Sequence, residues 1–125
     1  MEKKCINVST MPKAGPYSHA VKAGDMIFVS GAVPVNVETG EEIRGDIKKA
    51  TAQILENIKV ILAEAGSGLD KVVKTTVFLI DMADFSEMNE AYKTYFTENQ
   101  PARSCVAVKT LPVNFEVEIE VIALA

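Results

Sequence analysis

Residues 101–125, "PARSCVAVKTLPVNFEVEIEVIALA", constrain the fold more than any other part of the sequence. They contain two segments of strand-forming composition, 104–109 and 115–125, separated by the turn signal "TLPVN". We predict that these segments form an antiparallel hairpin. Arg103, at the start of the first strand, then lies near the Glu side chains of the second.

Arg103 raises the question of which anion it meets, because a planar guanidinium fork suits a carboxylate or a phosphate. Side chains of a strand alternate between two faces. One face of the last strand therefore carries this series: Glu116, Glu118, Glu120, Ile122 and Leu124. A structural ion pair between Arg103 and Glu118 explains this pattern at least as well as a catalytic pair. The apolar end of the face favours an enclosed site, and hence the catalytic interpretation.

The segment 46–65 has the period of an amphipathic helix. Its apolar residues recur at spacings of three and four: Ile47, Ala50, Ile54, Ile58, Ile61 and Ala65. Asp46 is the expected N-cap, and Gly66 lies just beyond the expected end. A second helix is predicted over 85–96, with Asp84 as its N-cap.

Two further runs predict strands, "DMIFVS" (25–30) and "VVKTTVFLI" (72–80). The predicted order is two or three strands, a helix, a strand, a helix and two strands. Two helices cover one face of such a sheet, yet both runs are apolar almost throughout, as in strands buried on both faces. A second copy of the chain is the simplest cover, so we expect a homo-oligomer with sites near the subunit borders.

Composition limits the possible functions. A chain of 125 residues with 48% hydrophobic residues predicts a single globular domain spanning 1–125. The formal net charge of -4 disfavours electrostatic capture of nucleic acid. Neither GxGxxG nor GxxxxGK[ST] occurs, so no nucleotide cofactor is expected.

The cysteines and the histidine indicate neither a metal site nor a disulfide scaffold. Cys5 and Cys105 lie far apart without a CxxC motif, and His19 is the only histidine. No apolar run reaches the length of a membrane span, and "MEKKCINVST" lacks the apolar core of a signal peptide. We therefore expect no metal and a cytoplasmic location.

Several polar residues are candidates for ligand contact, and each also has a structural interpretation. Tyr17 follows a Gly-Pro turn and has a hydroxyl to offer, although a Tyr packed on the core is commoner. Ser30 and Gly31 end a strand, where they either approach a ligand or simply form a turn. Cys105 fits a small core residue better than a reactive thiol. Asn89 lies beside the apolar stripe of the second helix.

Several segments resemble the reactive intermediate deaminase, or Rid (YjgF), family. They cover nearly the whole chain: "GPYSHAV", "MIFVSGAVPVNVETGE", "VVKTTVFLIDMADFSEMNEAY", "PARSCVAVKTLP" and "VEIEVIA". The last two are similar to the family signature, in which Pro-x-Arg-Ser precedes a strand and a Glu lies on the next. The resemblance implies a chorismate-mutase-like α+β fold, with two helices packed on one face of a mixed, mostly antiparallel sheet. It also implies a homotrimer whose active sites lie in clefts between subunits.

The resemblance further implies an activity. Family members hydrolyse reactive enamines and imines, such as 2-aminoacrylate, 2-iminopropanoate and 2-iminobutanoate, to 2-keto acids and ammonia without a cofactor. Pyridoxal-phosphate-dependent dehydratases release these substrates. By this likeness Arg103 holds the substrate carboxylate, and Glu118 orients and deprotonates the attacking water. Further matching positions line the cleft: Tyr17, Ser30 and Asn89, with backbone N–H groups at Gly31 and Cys105.

Two rival functions belong to other classes. The first is a non-catalytic trimeric binding module that senses small 2-keto acids or other carboxylates through the same cleft. Replacing Glu118 by Gln separates the two hypotheses, because turnover needs the carboxylate and binding does not. The second is a ribonuclease or translation inhibitor, which the acidic balance and the lack of a basic-aromatic stripe disfavour.

Overall fold

The computed structural model describes all 125 residues. Six strands form one sheet: β1 (Lys3–Ile6), β2 (Ala20–Ala23), β3 (Met26–Ala32), β4 (Val72–Leu79), β5 (Ala102–Ala107) and β6 (Val117–Leu124). The two helices are α1 (Ile47–Glu64) and α2 (Phe85–Tyr92). The strand order is β1-β2-β3-β6-β4-β5, and every neighbouring pair is antiparallel except β4 and β5. The mixed, mostly antiparallel α+β arrangement is confirmed.

Helix α1 is confirmed together with both of its predicted ends. The Asp46 side chain accepts a hydrogen bond of 3.0 Å from the Lys49 backbone N–H, which otherwise has no partner in the first turn. Gly66 follows the helix with φ 79°, a left-handed conformation that a glycine adopts without strain. The predicted apolar stripe from Ile47 to Ile61 is buried against the sheet.

Helix α2 begins at Phe85 as predicted but ends at Tyr92, four residues early. The Thr94 hydroxyl donates to the Ala91 carbonyl oxygen at 2.7 Å, a local bond that competes with helix continuation. Asp84 occupies the N-cap position, but its side chain makes no capping bond because a 3-10 turn leads directly into the helix.

The predicted hairpin between the last two strands is wrong. β5 pairs in parallel with β4, and β6 lies between β3 and β4. The chain from β4 to β5 passes through α2, which is the crossover that a parallel pair needs.

The sheet has one buried face and one exposed face. The buried face packs under both helices and carries these residues: Ile27, Val29, Val77, Leu79, Val117, Ile119, Val121 and Ala123. On the other face of the single chain, Phe28 is 46% exposed and Leu124 is 45% exposed. The run at 25–30 thus has apolar residues on both faces but is buried on one, whereas the open face of the run at 72–80 also carries Lys74 and Thr76. The predicted oligomer stays a prediction. Neither helix is long and apolar enough to span a membrane.

Candidate functional site

A cavity of about 560 Å³ opens beside the C-terminal end of β3. Polar groups of Tyr17, Ser30 and Glu118 line one part of it. The remaining wall is mainly apolar and includes Val33, Val35, Val37, Val113 and Phe115. A concave apolar pocket with a few convergent polar groups is the usual form of a small-molecule site.

The Glu118 carboxylate lies directly against the backbone of Gly31. A Cβ atom at residue 31 would lie 2.7 Å from Oε2 of Glu118, closer than real Cβ contacts. The pairing of β3 with β6 shifts register between Val29 and Ala32, and this irregularity includes Gly31. Glycine at this position therefore gives the carboxylate the space that it occupies.

The environment of Glu118 favours its protonated form. Partial burial raises the pKa of the carboxyl group, and the nearby charge of Glu120 raises it further. No side chain or backbone group of the chain donates a hydrogen bond to this carboxylate, which lines the cavity. A raised pKa brings a carboxylate closer to neutral pH, where it exchanges protons more effectively as a general base and acid.

Ser30 and Tyr17 lie at the same cavity and are held by local hydrogen bonds. The Ser30 hydroxyl donates to the Ser18 carbonyl oxygen at 2.7 Å. The Tyr17 hydroxyl accepts from the Ala14 N–H at 3.3 Å, and the residue as a whole is 43% exposed. His19 is buried, and its Nδ1 accepts from the Val8 N–H at 2.9 Å, which gives the imidazole a structural role.

Arg103 lies on β5, at the edge of the sheet. Its Nη1 donates to Oδ1 of Asn89 at 2.7 Å. The guanidinium carbon lies 4.9 Å from the centroid of the Tyr92 ring and 5.5 Å from that of Phe85. No Asp or Glu pairs with Arg103, so a structural ion pair with Glu118 is not formed within the chain. The fork is oriented and half-buried, and it is free to bind an external anion.

Cys105 lies two residues beyond Arg103 on the same side of β5. It is partly buried and packs against the hydrophobic core. Burial raises the pKa of its thiol, and the positive charge of Arg103 offsets only part of this effect. These features agree with its interpretation as a small core residue.

The two predicted catalytic residues lie on opposite faces of the sheet. Arg103 stands opposite Thr75 of β4, whose hydroxyl contacts Tyr92 of α2 at 2.8 Å on the helix side. Glu118 stands opposite Phe78, an odd number of residues from Thr75, and therefore on the other side. The hairpin that was expected to unite them does not exist, because β4 separates their strands.

A single chain thus carries two half-sites. Half-site A comprises Tyr17, Ser30, Gly31 and Glu118 around the cavity. Half-site B comprises Asn89, Arg103 and Cys105 at the β5 edge. No group of three His, Cys, Asp or Glu side chains is placed to hold a metal ion.

Sequence reasoning missed two features of these half-sites. The ring of Tyr92 lies beside Arg103, and the spacing of three residues from Asn89 on one helix was a usable signal for this arrangement. The guanidinium carbon of Arg44 lies 4.4 Å from the centroid of the Phe115 ring, which lines the cavity. Arg44 and its hydrogen-bond partner Asn114 are 70 positions apart in the sequence, and no local pattern predicts such a contact.

Known proteins are similar to this chain in sequence and in fold. The sequence profile of the family described as Endoribonuclease L-PSP matches residues 8–125. A RutC family protein from Pyrococcus abyssi is 51% identical over 124 residues, covering 98% of each chain. The crystal structure of a Yersinia pestis protein, described as belonging to the conserved Rid protein family, has a TM-score of 0.92 at 42% identity. The match covers 99% of this chain and 100% of the other. The E. coli protein TdcF, crystallised with bound serine, has a TM-score of 0.89 at 42% identity and 98% coverage of both chains.

Proposed function

The chain belongs to the Endoribonuclease L-PSP family, which includes the Rid (YjgF) proteins, and on that premise we propose that it is an enamine/imine deaminase. Its substrates are 2-iminopropanoate, 2-iminobutanoate and their enamine tautomers such as 2-aminoacrylate, released by pyridoxal-phosphate-dependent dehydratases. The products are a 2-keto acid and ammonia, and no cofactor takes part. The observation that carries the proposal is the oriented Arg103 guanidinium without a carboxylate partner.

The active site forms where half-site B of one copy meets half-site A of another in a homotrimer. Two observations support this assembly. Arg103 and Glu118 lie on opposite faces of one sheet, so within a single chain they cannot both contact the same small substrate. The exposed face also presents large apolar side chains such as Phe28 and Leu124, which a neighbouring copy removes from water.

The chemistry follows from the two half-sites. Arg103 holds the substrate carboxylate in a paired contact and Tyr17, Ser30 and Asn89 complete the cleft. The Glu118 carboxylate takes a proton from water as the water oxygen attacks C2 of the protonated imine. The electrons of the C=N bond move to nitrogen, which gives a neutral amino alcohol. Glu118 then returns its proton to nitrogen, the C–N bond breaks and ammonia leaves. As C=O forms, solvent water takes the proton of the hydroxyl group.

A relative supports the choice of substrate class. TdcF, at 42% identity, binds serine, which carries a carboxylate and a nitrogen on the same carbon as a 2-imino acid does. Arg103 and the Glu118 carboxylate, placed across one cleft, match those two groups in charge and hydrogen bonding.

The proposal is tested by pyruvate release from 2-aminoacrylate, generated in situ by a serine dehydratase. We expect the wild-type protein to accelerate release, Arg103→Ala to abolish the acceleration, and Arg103→Lys to retain only part of it, because an ammonium lacks the fork. Lys109→Ala is the matched control, since it removes an exposed cation just beyond β5. A folded wild-type protein that gives no acceleration would rule out this substrate class.

Glu118→Gln separates catalysis from simple binding. The deaminase hypothesis predicts loss of turnover while the variant still binds a 2-keto acid such as 2-oxobutanoate, measured by calorimetry. Turnover that survives this substitution would contradict the role of Glu118. Binding by a wild-type protein that never turns over an imine would establish the binding-module alternative.

We also propose a cytoplasmic location. Both cysteines are free, and Cys5 is exposed. A reducing compartment preserves such thiols. Fractionation of cells that express the chain, followed by immunoblotting, tests this assignment.

A further inference from the structure

The loop before β6 has a strained backbone. Val113 and Asn114, in the 3-10 turn Pro112–Asn114, both have φ 57°, in the left-handed region. Asn tolerates this conformation, but a β-branched residue such as Val rarely adopts it. Strain of this kind persists only where the surroundings hold the backbone, and it is concentrated at functional sites.

Arg44 is the side chain that holds this loop. Its Nη1 donates to the Asn114 carbonyl oxygen and its Nη2 to the Val113 carbonyl oxygen, both at 2.9 Å. The guanidinium lies 4.4 Å from the centroid of the Phe115 ring. Glu42 accepts from Nη2 at 3.0 Å and from Nε at 3.3 Å, which fixes the orientation of the fork. These contacts depend on both the charge and the planar shape of the arginine side chain.

The loop held by Arg44 is also a wall of the cavity that contains Glu118. Val113 and Phe115 line the cavity, and the Glu116 carboxylate accepts from the Gly45 N–H at 2.6 Å. The segment 42–45 therefore holds the residues that precede β6 at one further point. In the single chain the cavity has a volume of about 560 Å³, before a second copy adds its half-site. The apolar wall offers a longer apolar side chain a surface to contact.

We propose that Arg44 is a positioning residue for the substrate side chain. By holding Val113 and Phe115 in place, it shapes a subsite for imino acids whose apolar side chain is larger than methyl. The inference rests on the proposed deaminase function and adds to it a residue that sets specificity for the substrate side chain. Loss of Arg44 loosens the wall, so substrates that reach the wall bind less well and substrates that do not reach it are unaffected.

The test compares two 2-imino acids, with methyl and isobutyl side chains, generated in situ from alanine and leucine by an amino acid oxidase. For Arg44→Met we expect KM for the isobutyl substrate to rise on the order of tenfold, as for loss of apolar pocket contacts. We expect kcat for both substrates and KM for the methyl substrate to stay within about twofold of wild type, because Glu118 and Arg103 are untouched. For Arg44→Lys, KM for the isobutyl substrate should fall between the values of the wild type and Arg44→Met, since one ammonium replaces part of the fork.

Two controls separate this role from general support of the fold. Lys49→Met removes an exposed cation 4.0 Å from Glu41 and should leave both substrates unchanged. Val113→Gly relaxes the left-handed backbone and removes the wall side chain while keeping Arg44, so it should raise KM for the isobutyl substrate without lowering the melting temperature.

Equal losses on both substrates in Arg44→Met, or no loss on either, would overturn the proposal while leaving the deaminase function in place. A wild-type protein that hydrolyses neither substrate would overturn the proposed function, and the side-chain subsite with it.

Discussion

Gly31 and Glu118 show how one residue without a side chain places another residue's functional group. A methyl group at position 31 would lie 2.7 Å from Oε2 and 2.8 Å from Cδ of Glu118, so the carboxylate of Gly31→Ala must rotate away. Displacing a catalytic group by about 1 Å lowers kcat on the order of 100-fold. We expect this loss in imine hydrolysis, with little change in melting temperature because only a flexible side chain moves.

Gly15→Ala is the matched control for that substitution. A Cβ atom at residue 15 meets the Tyr17 ring at 3.5 Å, an ordinary contact. Activity that is equally reduced in both variants would show that the effect of Gly31→Ala does not depend on Glu118.

The charge of Glu120 gives a second prediction at the residue scale. Burial is the main cause of the raised pKa of Glu118, and the Glu120 carboxylate is the second. A general base must be deprotonated, so kcat/KM falls as the pH drops through this raised pKa. Glu120→Gln removes one cause, lowers the pKa of Glu118 towards its ordinary value, and should move the acid limb of the pH–rate profile to lower pH. An acid limb that stays in place or moves to higher pH would contradict Glu118 as the base.

At the scale of elements, one buried hydrogen bond joins strand β4 to helix α2. The Thr75 and Tyr92 hydroxyls lie 2.8 Å apart, and both residues are buried. Tyr92→Phe leaves the Thr75 hydroxyl without a partner, which should lower the free energy of unfolding by about 1–3 kcal/mol in urea denaturation. The Phe ring still lies under Arg103, so binding of a 2-keto acid should change little.

The double variant Tyr92→Phe, Thr75→Val tests the cause of that loss. Replacing both partners by apolar groups of similar shape removes the unsatisfied hydroxyl, so most of the lost stability should return. If the stability losses of Tyr92→Phe and Thr75→Val measured singly add up in the double variant, altered packing is the cause instead.

Elements defined by local pattern were the predictable part of the fold. The caps and the apolar period of α1 act within a few residues of sequence, and the structure confirms them. At the end of α2 the Thr94 side chain bonds to the Ala91 carbonyl oxygen, and no periodicity reveals this contact. The partner of β5 is set by contacts distant in sequence, although the helix between β4 and β5 was a usable signal for a parallel crossover.

For the whole molecule, the sequence was a better guide to the candidate residues than to their arrangement. Arg103 and Glu118 stood out because a lone arginine and an acidic strand face need partners. The argument that joined them was wrong, since strand order is a global property and β4 lies between their strands. Arg44 escaped notice altogether, because its contacts with Val113 and Asn114 exist only after the chain has folded.

The opposite placement of Arg103 and Glu118 gives a prediction about assembly. If each active site joins half-site B of one copy to half-site A of the next, Arg103→Ala and Glu118→Gln are each inactive alone but complementary when mixed. Co-refolded at equal amounts, they should form hybrid trimers in which about one quarter of the clefts contain both native residues, as expected for a head-to-tail ring with random mixing. Imine hydrolysis should return to about that fraction of the wild-type rate. The double variant mixed with either single variant supplies only one of the two native residues and should recover nothing. Hybrid trimers, verified by native mass spectrometry, that show no activity would mean that the two residues do not share a cleft.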